Sequence, residues 1–170
     1  MDALECIETR RSIRGFEEKK LTKEQLTVLA EAARSAPTAM NRQTRRITVV
    51  QNRELLEKLR AAIAAELGRP NYDFYGADAL ILASEAEGAL LAVENCACAL
   101  ENVFLAAHAI GLGSVWINQL NGICGRSAVR AVLSELKLPE DHHVWGMAAV
   151  GYPAAPPREI RKVGALEWVL

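Results

Sequence analysis

The chain has 170 residues, 51% hydrophobic and only 5% aromatic, enough for one domain with a mainly aliphatic core. Its 20 basic and 21 acidic side chains leave a net charge of −1, and the absence of a global positive field argues against nucleic acid as the main partner. Cys6, Cys96, Cys98 and Cys124 show neither CxxC nor metal-ligand spacing, and no basic-then-apolar leader opens the chain; the expectation is a reduced, cytoplasmic protein with no metal site.

Residues 2–9 read as a short helix. Directly after it, Arg10-Arg11-Ser12-Ile13-Arg14 gathers three guanidinium groups and a hydroxyl, a donor set that suits phosphate oxygens. Thr22 is placed to cap Gln25, Gln25 to answer it, and Leu21 to staple onto Leu26, so a helix runs from here to about Ser35, ahead of Ala36-Pro37. The loop Pro37-Thr38-Ala39-Met40-Asn41-Arg42-Gln43 carries hydroxyl and amide groups on small-residue backbone. It suits the edge of a flat heterocycle, and equally an ordinary turn. Residues 47–50 read as a strand, Asn52 as the cap of a helix over 53–67 that stops at Gly68 and Pro70, and 79–83 as a buried strand.

The longest helix is expected over 88–110. It is apolar on nearly every face, with Glu94/Asn95 and Glu101/Asn102 recurring seven apart as one polar stripe. Two Glu, two Asn and His108 are costly in a bilayer, so the helix reads as the core of a homodimer, not a membrane span. A strand at 114–118, a helix at 125–136 and a strand at 145–150 follow, ending at Gly151-Tyr152-Pro153. The tail over 153–170 carries a second basic cluster, Arg158, Arg161 and Lys162, and its last residues, from Leu166 on, alternate like a strand. Long helices with separated strands give an α+β layer fold, one domain over 1–170.

No Ser/His/Asp set, HExxH, Walker loop or GxGxxG is present. Of the three histidines, His108 reads as a core or interface residue, and His142-His143 as a solvated turn after Pro139-Glu140-Asp141. A chain without acid–base or metal machinery either binds something or relies on a cofactor's own chemistry.

The motifs resemble the FMN-dependent nitroreductase family. The R-R-S-[IV]-R pattern is met at residues 10–14, the P-[ST]-x-x-N-x-Q loop at 37–43, and N-[MIV]-x-L-A-A-x-x-x-G-L-G-S from Asn102 to Ser114. A [CV]-W-I segment follows at Val115-Trp116-Ile117, then the G-Y-P turn and the basic tail, with Arg161-Lys162. The likeness covers the whole chain in order. Two departures stand out: the loop continues Gln43-Thr44-Arg45-Arg46 where the family pattern has Q-P-W, and the tail has Glu159-Ile160-Arg161 where it has K-P-R.

The resemblance implies a three-layer fold, a central mixed or antiparallel sheet flanked by helices in a domain-swapped homodimer whose 153–170 arm wraps the neighbour. It implies bound FMN, with Arg10, Ser12 and Arg161 on the phosphate, joined by Arg158 or Lys162. Arg11 would lie along the ribityl chain or phosphate, and Arg14 would face N1 and the C2 carbonyl. Pro37, Thr38, Ala39, Asn41 and Gln43 would reach the flavin of the other subunit. Trp116, Ile117, Asn118 and Gln119 would pass beside the ring, with a backbone N–H near N5. The implied activity is NADH- or NADPH-driven reduction of a small molecule (nitroaromatic, quinone or flavin), with no catalytic side chain of the protein's own. The alternatives on the same fold are a flavin-linked dehydrogenase or dehalogenase of one metabolite, and a non-catalytic FMN binder.

Overall fold

The computed structural model describes residues 1–157 and 163–170. Its elements are α1 (Ala3–Thr9), α2 (Lys23–Arg34), a 3-10 turn (Ala39–Asn41), β1 (Arg46–Val50), α3 (Arg53–Leu67), β2 (Ala79–Ala86), α4 (Ala92–Ala109), β3 (Gly113–Ile117), α5 (Gln119–Ile123), α6 (Ser127–Glu135) and β4 (His142–Gly151). The helix starts follow the local chemistry. Thr22 and Gln25 form the expected capping box, Asn52 accepts from the Leu55 N–H at 3.0 Å, and Gly68 ends α3 at φ 62°.

The strands form one antiparallel sheet in the order β1-β2-β4-β3. Alternation along the two central strands builds two cores. Leu80 and Leu82 of β2, with Met147 and Ala149 of β4, face α3, α5 and α6. Ala79, Ile81 and Ala83, with Ala148 and Val150, face α2 and α4. Both faces of the sheet are therefore covered, which gives the three-layer α+β arrangement. A bulge at Ala83/Ser84 shifts the register so that Trp145 is the extra residue of β4. Next to it, a Cβ on Gly146 would lie 2.5 Å from the Trp116 ring and 2.8 Å from Leu100, so this glycine lets the indole and α4 close onto the sheet.

Several expectations are corrected. His142 and His143 are not a solvated turn. They open β4, half-buried, because β2 runs on to Ala86 and supplies the pairing partners Ala86 and Glu85. His142 Nδ1 lies 3.1 Å from Ser84 Oγ and His143 Nε2 lies 3.0 Å from Asn121 Oδ1. The long helix starts at Ala92, four residues late, because Gly88 and Leu91 take left-handed φ values of 89° and 53°. It buries one side in the α2 core and leaves Leu91, Val93, Cys98 and Glu101 exposed. The strand-like ending, 163–170, forms no strand in this chain; Leu166 and Trp168 are 76% and 75% exposed. No helix among the described residues is long and apolar enough to cross a membrane.

Candidate functional site

The arginine segment lies along β3, at one edge of the sheet. Ser12 makes a parallel bridge with Ser114, and the Ile13 N–H donates to the Ser114 carbonyl at 2.9 Å. A Cβ on Gly113 would meet Ile13 at 2.9 Å, so the segment sits hard against the strand. Ile13 turns inward and Ser12 and Arg14 turn out to solvent. Arg14 has no ion pair or hydrogen bond among the described residues. Arg10 leans on α4, 3.5 Å from Glu101 and 5.9 Å from the centre of the Phe104 ring. That ion pair is half-exposed and weak enough to exchange for a better anion. Arg11 folds back on α1 and donates from Nη1 to the carbonyls of Glu8 and Arg10, both at 2.7 Å.

At the far end of β3, Trp116 is partly exposed and tilted against Phe104, with Nε1 donating to Asn118 Oδ1 at 3.2 Å. Ile117 is buried. Gln119 opens the short helix α5, which the sequence reading did not anticipate, and it lines a hollow of about 490 Å³ with Arg69, Asn71, Tyr72 and Tyr75.

The loop over 37–43 lies at the opposite edge, leading into β1. It is tightly tied. The Gln43 N–H donates to Thr38 Oγ1 at 3.0 Å, Gln43 Nε2 donates to Asn41 Oδ1 at 2.9 Å, and the Ala39 N–H donates to Asn95 Oδ1 at 2.9 Å. Met40, Asn41 and Gln43 all take left-handed φ, from 51° to 54°. Such values are costly for residues with a Cβ and persist only where surrounding contacts hold them. Pro37 and Gln43 are exposed and Ala39 half-buried; with Arg34, Thr38, Asn41, Arg45 and Arg46, the loop borders an open hollow of about 750 Å³.

One chain thus carries its candidate residues at two separate places. β1 and β3 are the two outer strands, three spacings or ~14 Å apart. The loop meets α4 at Asn95 and Arg10 meets it at Glu101 and Phe104, up to ~14 Å further along the helix. Arg158, Arg161 and Lys162 lie outside the described residues.

All four cysteines are free, and burial pushes the Cys96 thiol up to about 12 and raises that of Cys124. Among the described residues there is no cluster of His, Cys, Asp and Glu that would hold a metal. The sequence reading missed Thr44, Arg45 and Glu85, which bind the loop from beneath. A lone carboxylate ending an apolar strand was the available signal for Glu85.

The nitroreductase family model matches residues 7–152. A protein of Archaeoglobus fulgidus named as a candidate NADH dehydrogenase/NAD(P)H nitroreductase is 32% identical over 157 residues, covering 89% of this chain and 86% of its own. Among solved structures, a nitroreductase with bound FMN from Bacteroides fragilis superposes over 100% of both chains with TM-score 0.89 and 35% identity. An FMN-dependent nitroreductase from Clostridium difficile covers 98% of both with TM-score 0.84 and 25% identity.

His108 ties this region to pH. Its Nε2 lies 2.8 Å from Thr9 Oγ1, and Thr9 in turn donates to the Glu5 carbonyl. Burial, then the charges of Arg10 and Arg11, hold its pKa below the ordinary value of 6.5. The unfolded chain therefore takes up this proton first as pH falls. The stabilisation is complete above about pH 6.5 and is lost as pH drops through that value toward the folded pKa. Thermal melts of the cofactor-free protein should show stability falling between pH 7 and pH 5, with a shallower fall in His108→Gln. An identical slope in the variant removes His108 from the account.

Proposed function

The chain belongs to the nitroreductase family, and on that footing we propose that it is an FMN-dependent oxidoreductase. It would take electrons from NADH or NADPH and reduce a small molecule of the nitroaromatic, quinone or flavin class. The observation that carries the reading is the outward alternation of Ser12 and Arg14 on a segment locked to β3, the strand that carries Trp116. The donor chemistry fits FMN. The Ser12 hydroxyl and the weakly paired Arg10 suit a phosphate, and Arg14, unengaged among the described residues, suits the electron-rich edge of a reduced ring.

FMN, when bound, supplies hydride acceptance at N5 and hydride release to the second substrate. The protein's own part is binding and electrostatics. Arg10, Ser12 and Arg161 would hold the phosphate, with Arg158 or Lys162 as further candidates, and Arg11 would lie along the phosphate or ribityl chain. Arg14 places a fixed positive charge at the N1 and C2 carbonyl edge, where negative charge grows on reduction. A backbone N–H of Asn118 or Gln119 would lie near N5.

The site is completed by a second copy of the chain. Thr38, Asn41 and Gln43 cannot reach a ring held on the β3 edge of their own subunit, given the separation of the two edges. A two-fold dimer built on α4 brings one subunit's loop to the other's arginine segment. The exposed side chains Leu4, Ile7, Leu91 and Val93 and the apolar 163–170 tail support the same reading, because a lone subunit leaves them in water. The tail is then an arm laid across the neighbour.

Three outcomes are expected. Purified protein is yellow, and anaerobic addition of NADH or NADPH bleaches it, with colour returning on adding an acceptor. Protein that stays yellow under excess of both donors is not an oxidoreductase of this kind. Arg14→Ala retains flavin but lowers its midpoint potential by on the order of 20–40 mV, from about 1–2 kcal/mol of lost charge stabilisation in a two-electron couple. An unchanged potentiometric midpoint removes Arg14 from the ring edge. Deleting residues 165–170 weakens dimerisation and flavin retention together; a monomer by light scattering that keeps stoichiometric FMN defeats the shared site.

A further inference from the structure

We propose that Thr44, Glu85, Asn95 and Arg45 form a clamp, built on the buried Glu85 and Asn95, whose task is to hold the 37–43 loop in its flavin-contacting shape. The inference rests on the reading that this loop meets FMN, and it names the residues that position it.

Glu85 is 1% and Asn95 5% exposed. A carboxylate and an amide buried this deeply in an aliphatic core cost stability unless each bond is made. The two bond each other, with Asn95 Nδ2 donating to Glu85 Oε2 at 2.9 Å. Their remaining capacity is spent mainly on the loop and its flanks. Thr44, the residue after the loop, donates its hydroxyl to Glu85 Oε1. Asn95 Oδ1 accepts from the Ala39 N–H, inside the loop, and Asn95 Nδ2 also donates to the Leu90 carbonyl. The loop is thereby bonded from below near its middle and just past its end.

Arg45 fastens the entrance. Its guanidinium donates to the carbonyls of Ala33, Ala36 and Pro37 at 2.9, 3.2 and 3.1 Å, and to the Asn95 carbonyl at 2.8 Å. It thus closes the C-terminus of α2, where carbonyls lack helical partners, and ties that end to α4. Asn102, one heptad on from Asn95, donates to the Ala32 carbonyl at 2.9 Å and repeats the α4-to-α2 link.

A purely structural network has no reason to end on a strained, exposed loop. This one supports a loop with three left-handed residues, Met40, Asn41 and Gln43, and polar groups of the loop remain available. Asn41 Nδ2, Gln43 Oε1 and the Thr38 hydroxyl hydrogen have no partner among the described residues. The clamp also accounts for the departure after Gln43. Thr44 and Arg45 stand where the resembled pattern has Pro-Trp, and both point their polar groups into the clamp.

The decisive variant is Thr44→Val, an isosteric change at an exposed residue that preserves folding. It should weaken FMN binding about tenfold, the cost of one charge-assisted bond, and Thr44→Ser should restore it. In cofactor-free protein, amide exchange at Ala39 and Gln43 should accelerate in Thr44→Val while the melting temperature holds. Glu85→Gln should act in the same direction. Asn41→Ala tests the underlying reading by itself, and its effect on FMN affinity should shrink in the Thr44→Val background, where the loop is already loose. If Asn41→Ala weakens FMN but Thr44→Val changes neither affinity nor exchange, the clamp is wrong and the loop contact stands. If Asn41→Ala leaves FMN affinity unchanged, the loop does not meet the flavin and the proposal falls with that reading.

Discussion

β2 and β4 present apolar side chains on both faces, so neither face can be left to water. Leu80 and Leu82 need α3 and α6 on one side; Ile81 and Ala83 need α2 and α4 on the other. Once both faces are committed to packing, polar chemistry has only the rims of the sheet to occupy. The two outer strands, β1 and β3, are where the 37–43 loop and the arginine segment are found. The separation of the two candidate half-sites is thus a consequence of the core, and it makes a second copy of the chain the economical way to unite them.

The edges themselves are managed differently. β3 is shielded by the 12–16 segment, whose bridge to Ser114 and contact with Gly113 remove part of an open strand edge. That same shielding aims Ser12 and Arg14 outward, so protection of the edge and presentation of donors come from one alternation. Among the described residues β1 has no such cover, and Val49 is exposed there. What stabilises that side is the polar tie between the loop, β2 and α4.

Local rules predict the parts that local chemistry decides. The α2 capping box, the Asn52 cap and the Gly68 stop are written in a few adjacent residues, and the structure has them all. The reading fails where distant partners decide. His142 and His143 look like loop residues until β2 is seen to extend beside them. The 163–170 ending alternates like a strand, but alternation makes a strand only where an edge receives it. Helix α5 starts after Asn118, a residue type suited to capping, but Asn118 Oδ1 accepts from Trp116 Nε1 and makes no cap bond; the helix forms because Leu120 and Cys124 reach the α3–α6 core. At the candidate site, the arginine segment and the polar loop were legible as exposed motifs. Glu85 was not, because a single acid at the end of an apolar run gains its meaning only from a partner ten residues on.

The polar stripe of α4 is the clearest case of a pattern seen before its use was known. Glu94, Asn95, Glu101 and Asn102 interrupt an otherwise apolar helix, and solvent exposure alone would explain such a stripe. The four residues instead divide by position. Glu94 and Glu101 are exposed, with Glu101 meeting Arg10, while Asn95 and Asn102 turn inward to the end of α2 and to the loop. Asparagine suits the inner pair because one amide both donates and accepts, so Asn95 can satisfy a carboxylate and a backbone N–H at once. An aspartate there would oppose Glu85 and could not donate to it, and a leucine would leave Glu85 and the Ala39 N–H without that partner. The heptad spacing thus carries two functions on one helix: the outer acids meet solvent and the arginine segment, and the inner amides hold α2 and the loop to the core.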